Sequence, residues 1–267
     1  MIWGPSGAQA GTPAGDISFD GVSRGPSWEE IVPGLRFQPS GSARLEAATP
    51  GVRIYDFKTL YRSLGYPDPA YFGSTPDEVE DVHTYTGKND AIYQEINGYL
   101  RFYPGEYDWY GISPESAKII VQHIDNVLAR VPSLPRDLIL FRGVGLRFRG
   151  NKGYEVNEEF LEKGYSSTST SFKVARYFAI GGSEGEGVGS KNAVLVIYQN
   201  SADTQGILVA EQDEDEVILR HGTRYKVMAS RTAREGYELY LVQACSKPCE
   251  ASLEQGAGEF WKYFDLD

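Results

Sequence analysis

The sequence predicts an α+β fold in which helices come first and strands follow. Three observations carry that expectation. Between residues 54 and 131 apolar residues recur three and four apart, the period of a helix with one buried face. After Pro132 and Pro135 the apolar runs become short and continuous or alternating, as in strands. Glycine-rich turns punctuate that second half. Helices segregated from strands suit an α+β arrangement, not alternating β–α–β units.

The elements follow in order. IYDFKTLYRSL (54–64) puts Ile54, Phe57, Leu60, Tyr61 and Leu64 on one helical face. NDAIYQEINGYLRFY (89–103) repeats the pattern with Ile92, Ile96, Tyr99 and Leu100. Ser113 and Pro114 read as an N-cap and first-turn proline. They open a helix carrying Ala117, Ile120, Val121, Ile124, Val127 and Leu128. DLILFRGV (137–144) reads as a buried strand, NAVLVIYQ (192–199) as a second and DEVILR (215–220) as a third. RYKVMAS and ELYLVQA close the strand set. Between them Ser171 caps a short helix, expected over about 172–179.

Residues 1–50 hold eight glycines and six prolines with few clustered apolar residues. They read as an arm or linker. Residues 51–267 are expected to form one domain, with its helical part over about 51–135 and its strand-rich core over about 136–245. A chain of 267 residues can bury a substantial core.

Charge and composition exclude several classes. With 26 basic and 37 acidic residues the net charge is −11, which repels phosphate backbones and argues against a nucleic-acid binder. It still permits a locally basic pocket for a small anion. Cys245 and Cys249 cannot build a disulfide framework. His83, His123 and His221 lack metal-ligand spacing, so no metal site is expected. No apolar stretch is long enough to span a membrane. MIWGPSGAQA has neither a basic nor an apolar signal region, so no conventional secretory signal is expected.

Three features of the strand-rich half bear chemistry. Arg142 ends an apolar strand, where a guanidinium needs an anionic partner: a structural carboxylate, or a ligand phosphate held by the fork. GYSSTSTS (164–171) is either a polar turn with a helix cap or a hydroxyl wall that holds a polar ligand and braces a carboxylate. EQDEDEVIL (211–219), read as a strand, places Glu214 and Glu216 on one face, with Ile218 continuing into the core and Asp215 pointing the opposite way. Two carboxylates so placed repel, which raises at least one pKa; such a pair suits an exposed edge or an active site.

A strand-borne arginine, a hydroxyl motif and Glu-x-Glu, in that order, resemble the toxin-type ADP-ribosyltransferases with the R-S-E signature. LFRG with Arg142, Ser167-Thr168-Ser169, and Glu214-Asp215-Glu216 are the matching pieces. YTGKNDAIYQEINGYLR (85–101) resembles the helical segment ahead of that family's core, and SFKVARYFA (171–179) its helix after the serine motif. The resemblance covers roughly 80–243.

The resemblance implies a mixed or antiparallel two-sheet β core behind N-terminal helices, with NAD as the substrate whose nicotinamide bond is broken. It implies that Arg142 anchors the pyrophosphate and that Glu216 stabilises the developing ribosyl cation and holds the ribose hydroxyl. Ser167 would aim Glu216, with Thr168 and Ser169 completing the nucleotide wall. Gly143 would let its backbone approach the nicotinamide amide, and Tyr93 and Asn97 would lie near the nucleotide. Glu214 would orient the acceptor. Glutamate at that position accompanies arginine acceptors in the family. SADTQGILVAEQD (201–213) resembles its acceptor loop in position, without an aromatic residue.

Other motifs carry less. GEGVG (185–189) precedes a strand and is no dinucleotide fingerprint. CSKPC lacks a second ligand pair for zinc. His123 reads as a core or half-exposed histidine, and YDWYG (107–111) as packing. The expectation is a mono-ADP-ribosyltransferase effector, secreted or injected, acting on a target-cell protein in its cytoplasm. A larger delivery complex or an immunity protein would be a further partner. The alternatives are an NAD glycohydrolase and a catalytically idle NAD-binding domain.

Overall fold

The computed structural model describes residues 56–66, 72–87, 92–105, 111–136, 138–146, 149–182, 192–199, 201, 203–209, 214–233 and 236–245. The chain divides into two units, Met1–Gln38 and Pro39–Asp267. The arm expected over 1–50, Ile54, YDWY of YDWYG, GEGVG and CSKPC beyond Cys245 lie outside the described residues.

Among the described residues, four helices precede the strands: α1 (Phe57–Ser63), α2 (Pro76–Thr86), α3 (Ile92–Phe102) and α4 (Pro114–Arg130). Local chemistry starts three of them. Asp56 accepts from the Thr59 amide to cap α1. Thr75 and Glu78 form a reciprocal capping box at α2, behind Pro76. Ser113 accepts from the Ser116 amide at α4, as its sequence foretells. Glu78 does more than cap. Its carboxylate accepts from both terminal nitrogens of Arg130 at 2.6 and 3.0 Å and from Asn126 at 3.1 Å, which ties α2 to α4. Those Arg130 bonds, against the cost of burial, hold the Glu78 carboxyl down to about 2.

The strands are β1 (Leu138–Gly145), β2 (Glu159–Glu162), β3 (Ser166–Ser169), β4 (Asn192–Gln199), β5 (Gly206–Val209), β6 (Glu216–Leu219), β7 (Thr223–Thr232) and β8 (Glu238–Cys245). Their order is β2-β7-β8-β4-β1-β3-β6-β5. All neighbours run antiparallel except β4 and β8, so the sheet is mixed. The strand set has two lobes. Five strands end at β1 and three begin at β3, and the lobes share one paired position, Phe141 with Ser169. β5 falls inside the segment expected to be an acceptor loop; GILV pairs with β6 from Gly206–Leu219 to Val209–Glu216.

The apolar runs of β1 and β4 are buried on both faces. Leu138, Leu140, Leu195 and Ile197 join the helical residues Val82, Tyr85, Ile96, Ile124 and Leu128 in one cluster. Ile139, Phe141, Val194 and Val196 join Phe172, Ala175 and Ala179 in a second. That second face is covered by α5 (Phe172–Tyr177), which continues as a π-helical turn over Phe178–Gly182. Ser171 stands at the N-cap position of α5 but makes no side-chain cap bond there.

Candidate active site

Strand order sets the site. β1, β3 and β6 are neighbours, and they carry Arg142, the serine motif and Glu216 respectively. Arg142 follows Phe141, the last position at which β1 pairs with β3, so its side chain lies where the two lobes part. It is 14 % exposed. Its Nη1 donates to Ser166 Oγ at 2.6 Å and faces Glu162 Oε2 at 3.5 Å. Burial works against its charge, yet Glu162 and the phenols of Tyr225, Tyr85 and Tyr154 more than offset it and raise its pKa. Both readings of this arginine therefore meet here: it has a carboxylate partner and keeps donors to spare.

The hydroxyl run is a strand whose side chains reach several directions. Ser166 accepts from Arg142 and from the Tyr225 phenol, at 2.6 and 3.0 Å. Thr168 donates to the Val217 carbonyl at 2.6 Å and Ser169 to the Glu214 carbonyl at 2.6 Å. Ser167 donates to the Tyr85 phenol at 3.3 Å. The bond foreseen from Ser167 to Glu216 is not among these. Ser169, not Ser167, stands across the ladder from Glu216, and Ser167 faces Ile218. Ser167 still shares the Glu216 face, one pair further along.

Glu216 opens β6 and is 5 % exposed, wedged between Ser169 on β3 and Val209 on β5. Glu214 lies before the strand, half-buried in a turn, and Asp215 takes φ of +47°. The shared strand face expected for the two glutamates is therefore corrected: strand alternation begins at Glu216, and the left-handed residue between them breaks the i, i+2 relation. The repulsion argument built on that face loses its premise. Carbonyl bonds hold the turn instead, from Ser169 Oγ to Glu214 and from the Thr170 amide to Asp215 at 3.1 Å.

Gly143 has a packing reason of its own. A Cβ built there would sit 2.2 Å from the Ala175 carbonyl oxygen and 2.7 Å from the Ala179 amide nitrogen. The missing side chain lets α5 and its π turn lie directly on β1.

Asn97 and Tyr93 separate. Asn97 is buried; its oxygen accepts from the Tyr165 amide at 2.8 Å and its nitrogen donates to Tyr85 at 3.2 Å. Tyr93, one turn earlier on α3, is exposed and accepts from Gln94 at 3.0 Å. Tyr85 thus receives bonds from both Asn97 and Ser167. Burial pushes its phenol up to about 12, against those two bonds and the nearby Arg142. Three site residues escaped sequence reasoning. Tyr85 joins α2 to the serine motif. Glu162 on β2 and Arg101 on α3 form a clamp with Arg142: Arg101 donates through Nε and Nη2 to Glu162 Oε1 at 3.1 and 2.9 Å. Burial raises the Glu162 pKa, and Arg142 and Arg101 together lower it further than that.

Chemically, the site offers two guanidinium groups for an anion, a row of hydroxyls and a buried carboxylate beside them. Among the described residues, no three His, Cys, Asp or Glu side chains gather to hold a metal ion, and no helix is long and apolar enough to cross a membrane. His123 is half-buried and paired with Asp81.

A comparison with curated protein sequences gives no match. Solved structures share the fold. The Vis toxin, an ADP-ribosyltransferase from Vibrio splendidus, is 19 % identical with a TM-score of 0.55, over 74 % of this chain and 85 % of that one. Its complex with agmatine is 18 % identical with a TM-score of 0.56, over 82 % and 91 %. The C3 exoenzyme of Clostridium limosum is 15 % identical with a TM-score of 0.50, over 73 % and 95 %. The sequence model of the ADP-ribosyltransferase exoenzymes matches residues 54–247. With that match over most of its length and the arginine, serine and glutamate motifs on three neighbouring strands, the chain belongs to the ADP-ribosyltransferase exoenzyme family.

Proposed function

We propose that the protein transfers ADP-ribose from NAD to an arginine side chain of a target-cell protein and releases nicotinamide. The observation that supports this most is the adjacency of β1, β3 and β6, which gathers Arg142, the serine motif and Glu216. Arg142 and Arg101 receive the pyrophosphate of NAD through charge-assisted bonds. Glu216 stabilises the positive charge that grows on the ribose as its bond to nicotinamide breaks, the bond's electron pair leaving with the neutral base. Thr168 and Ser169 keep the β3–β6 ladder and its turn in place around that carboxylate, and Ser167 ties β3 to Tyr85 of α2.

A nitrogen of the acceptor guanidinium then attacks the ribose carbon, and Glu214 takes the proton it loses. A carboxylate matches a guanidinium fork, and Vis has been crystallised with agmatine, which carries the guanidinium of arginine. These two points favour arginine. The protein acts as a delivered effector in the cytoplasm of its target cell.

The test is to incubate the protein with labelled NAD and target-cell lysate and to map the modified residue by mass spectrometry. ADP-ribosyl-arginine on a discrete protein is expected. Modification of another residue type sinks the arginine assignment. Consumption of NAD with no labelled protein makes the enzyme a glycohydrolase, and no consumption makes it an idle NAD-binding domain.

A further inference from the structure

Glu162 lies outside the three motifs, on an edge strand where a carboxylate would ordinarily face water. β2 alternates: Glu159 and Leu161 are exposed, whereas Phe160 and Glu162 turn inward. Phe160 packs its ring on Tyr225 at 5.2 Å, so the inward face is a packing face. A charge there is costly unless it is paired. Glu162 is paired three times over: with Arg101, with Arg142, and with the Gly164 amide at 2.9 Å.

The donors that remain are informative. Arg142 spends Nη1 on Ser166 and Glu162, and Arg101 spends Nε and Nη2 on Glu162. Among the described residues, Nε and Nη2 of Arg142 and Nη1 of Arg101 have no hydrogen-bond partner. Two guanidinium groups thus converge on one carboxylate, each with a donor edge left open. Without that carboxylate like charges would drive the two apart, and two long side chains would be ordered only on binding.

We infer that Glu162 is a positioning residue of the anion site: it holds Arg101 and Arg142 together so that their open N–H groups receive the NAD pyrophosphate. This rests on the pyrophosphate reading of Arg142 given above. It opposes a simple charge count. Removing a negative charge beside two cations should tighten the binding of a dianion if Glu162 merely dilutes the local potential. A positioning role requires weaker binding.

The test is calorimetric titration of the full chain and of Glu162→Ala, Glu162→Gln and Arg142→Lys with NAD and with ADP-ribose, beside nicotinamide inhibition constants and a thermal melt of each sample. Glu162→Ala is expected to raise the Kd for NAD and ADP-ribose at least about tenfold, the scale of one lost charge-assisted bond, and to leave nicotinamide inhibition unchanged. Glu162→Gln keeps an oxygen for Arg101 and Gly164 but cannot hold Arg142, so its Kd falls between those of the wild type and the alanine variant. Should the alanine variant not fold, the glutamine variant decides. Unchanged or tighter ADP-ribose binding in a folded Glu162 variant overturns the inference, as does an equal loss of nicotinamide inhibition, which is the mark of a general structural role. Unchanged NAD affinity in Arg142→Lys overturns the underlying pyrophosphate reading instead; a lysine retains charge but not the fork.

Discussion

The hydroxyl of Ser169 donates to the main-chain carbonyl of Glu214 at 2.6 Å. The last serine of the hydroxyl motif therefore holds the turn that presents the first glutamate of Glu-x-Glu. The same oxygen accepts from the Ser171 amide at 2.9 Å, so one side chain links the start of α5 to the Glu214 turn. Motifs far apart in sequence are coupled through one buried hydroxyl.

Ser169→Ala leaves a carbonyl and an amide without this partner, at a cost of about 1–3 kcal/mol. Transfer to the acceptor is expected to fall more than NAD hydrolysis, because the turn carries Glu214 while Glu216 keeps its place in β6. Asp215 supplies the backbone test. Asp215→Gly suits φ of +47°, whereas Asp215→Val is strained there by about 1–2 kcal/mol. Both remove the same carboxylate, so a transfer rate lower in valine than in glycine reports the turn. Equal rates in the two variants would dismiss it.

Glu216→Gln keeps shape and hydrogen bonding and removes the charge. Its kcat for NAD cleavage should drop at least about a hundredfold, the usual loss for an electrostatic stabiliser, with the Kd for NAD little changed. Glu214→Gln should lose transfer to arginine while retaining hydrolysis. Matched losses of both activities in Glu214→Gln would end this division of labour.

Features written in local spacing were legible in the sequence. α4 follows from Ser113, Pro114 and the three–four spacing of its apolar residues, and β1 from the run around Ile139. The arginine, serine and Glu-x-Glu motifs were legible as an ordered set. What escaped depends on packing between elements distant in sequence. Arg101, Glu162 and Arg142 meet only because β2 folds beside α3, and no local period announces that. The positive φ of Asp215 breaks a pattern that a strand reading extends by default. The packing reason for Gly143 escaped because the covering helix, not the sequence neighbours, supplies it.

Gly143→Ala tests that reason. The added methyl would meet the Ala175 carbonyl oxygen at 2.2 Å, so α5 must shift or β1 must bend. Overpacking of this kind costs about 1–3 kcal/mol. An unfolding free energy lowered by that amount in urea titration is expected, with the Kd for nicotinamide-containing ligands changed only as far as the helix has moved. A variant as stable as the wild type but unable to bind NAD would return Gly143 to the nucleotide.

The Glu78–Arg130 tie between α2 and α4 predicts a pH dependence of stability. The Glu78 carboxyl is held at about 2 in the folded protein, against an ordinary 4.5. With the folded pKa below the unfolded one, the unfolded chain binds more protons in between, and stability falls as pH falls. The contribution is complete above about 4.5 and disappears progressively toward about 2. Glu78→Gln preserves the capping box, since glutamine serves at that position, but has no charge to offer Arg130. The variant should therefore be less stable than the wild type at neutral pH, and the gap should narrow as the pH drops below about 4.5. Urea unfolding of both proteins through that range measures the gap directly, because titrations elsewhere cancel in the difference. A gap that stays constant down to the acid limit of folding would mean that Glu78 acts through its hydrogen bonds and not through its charge.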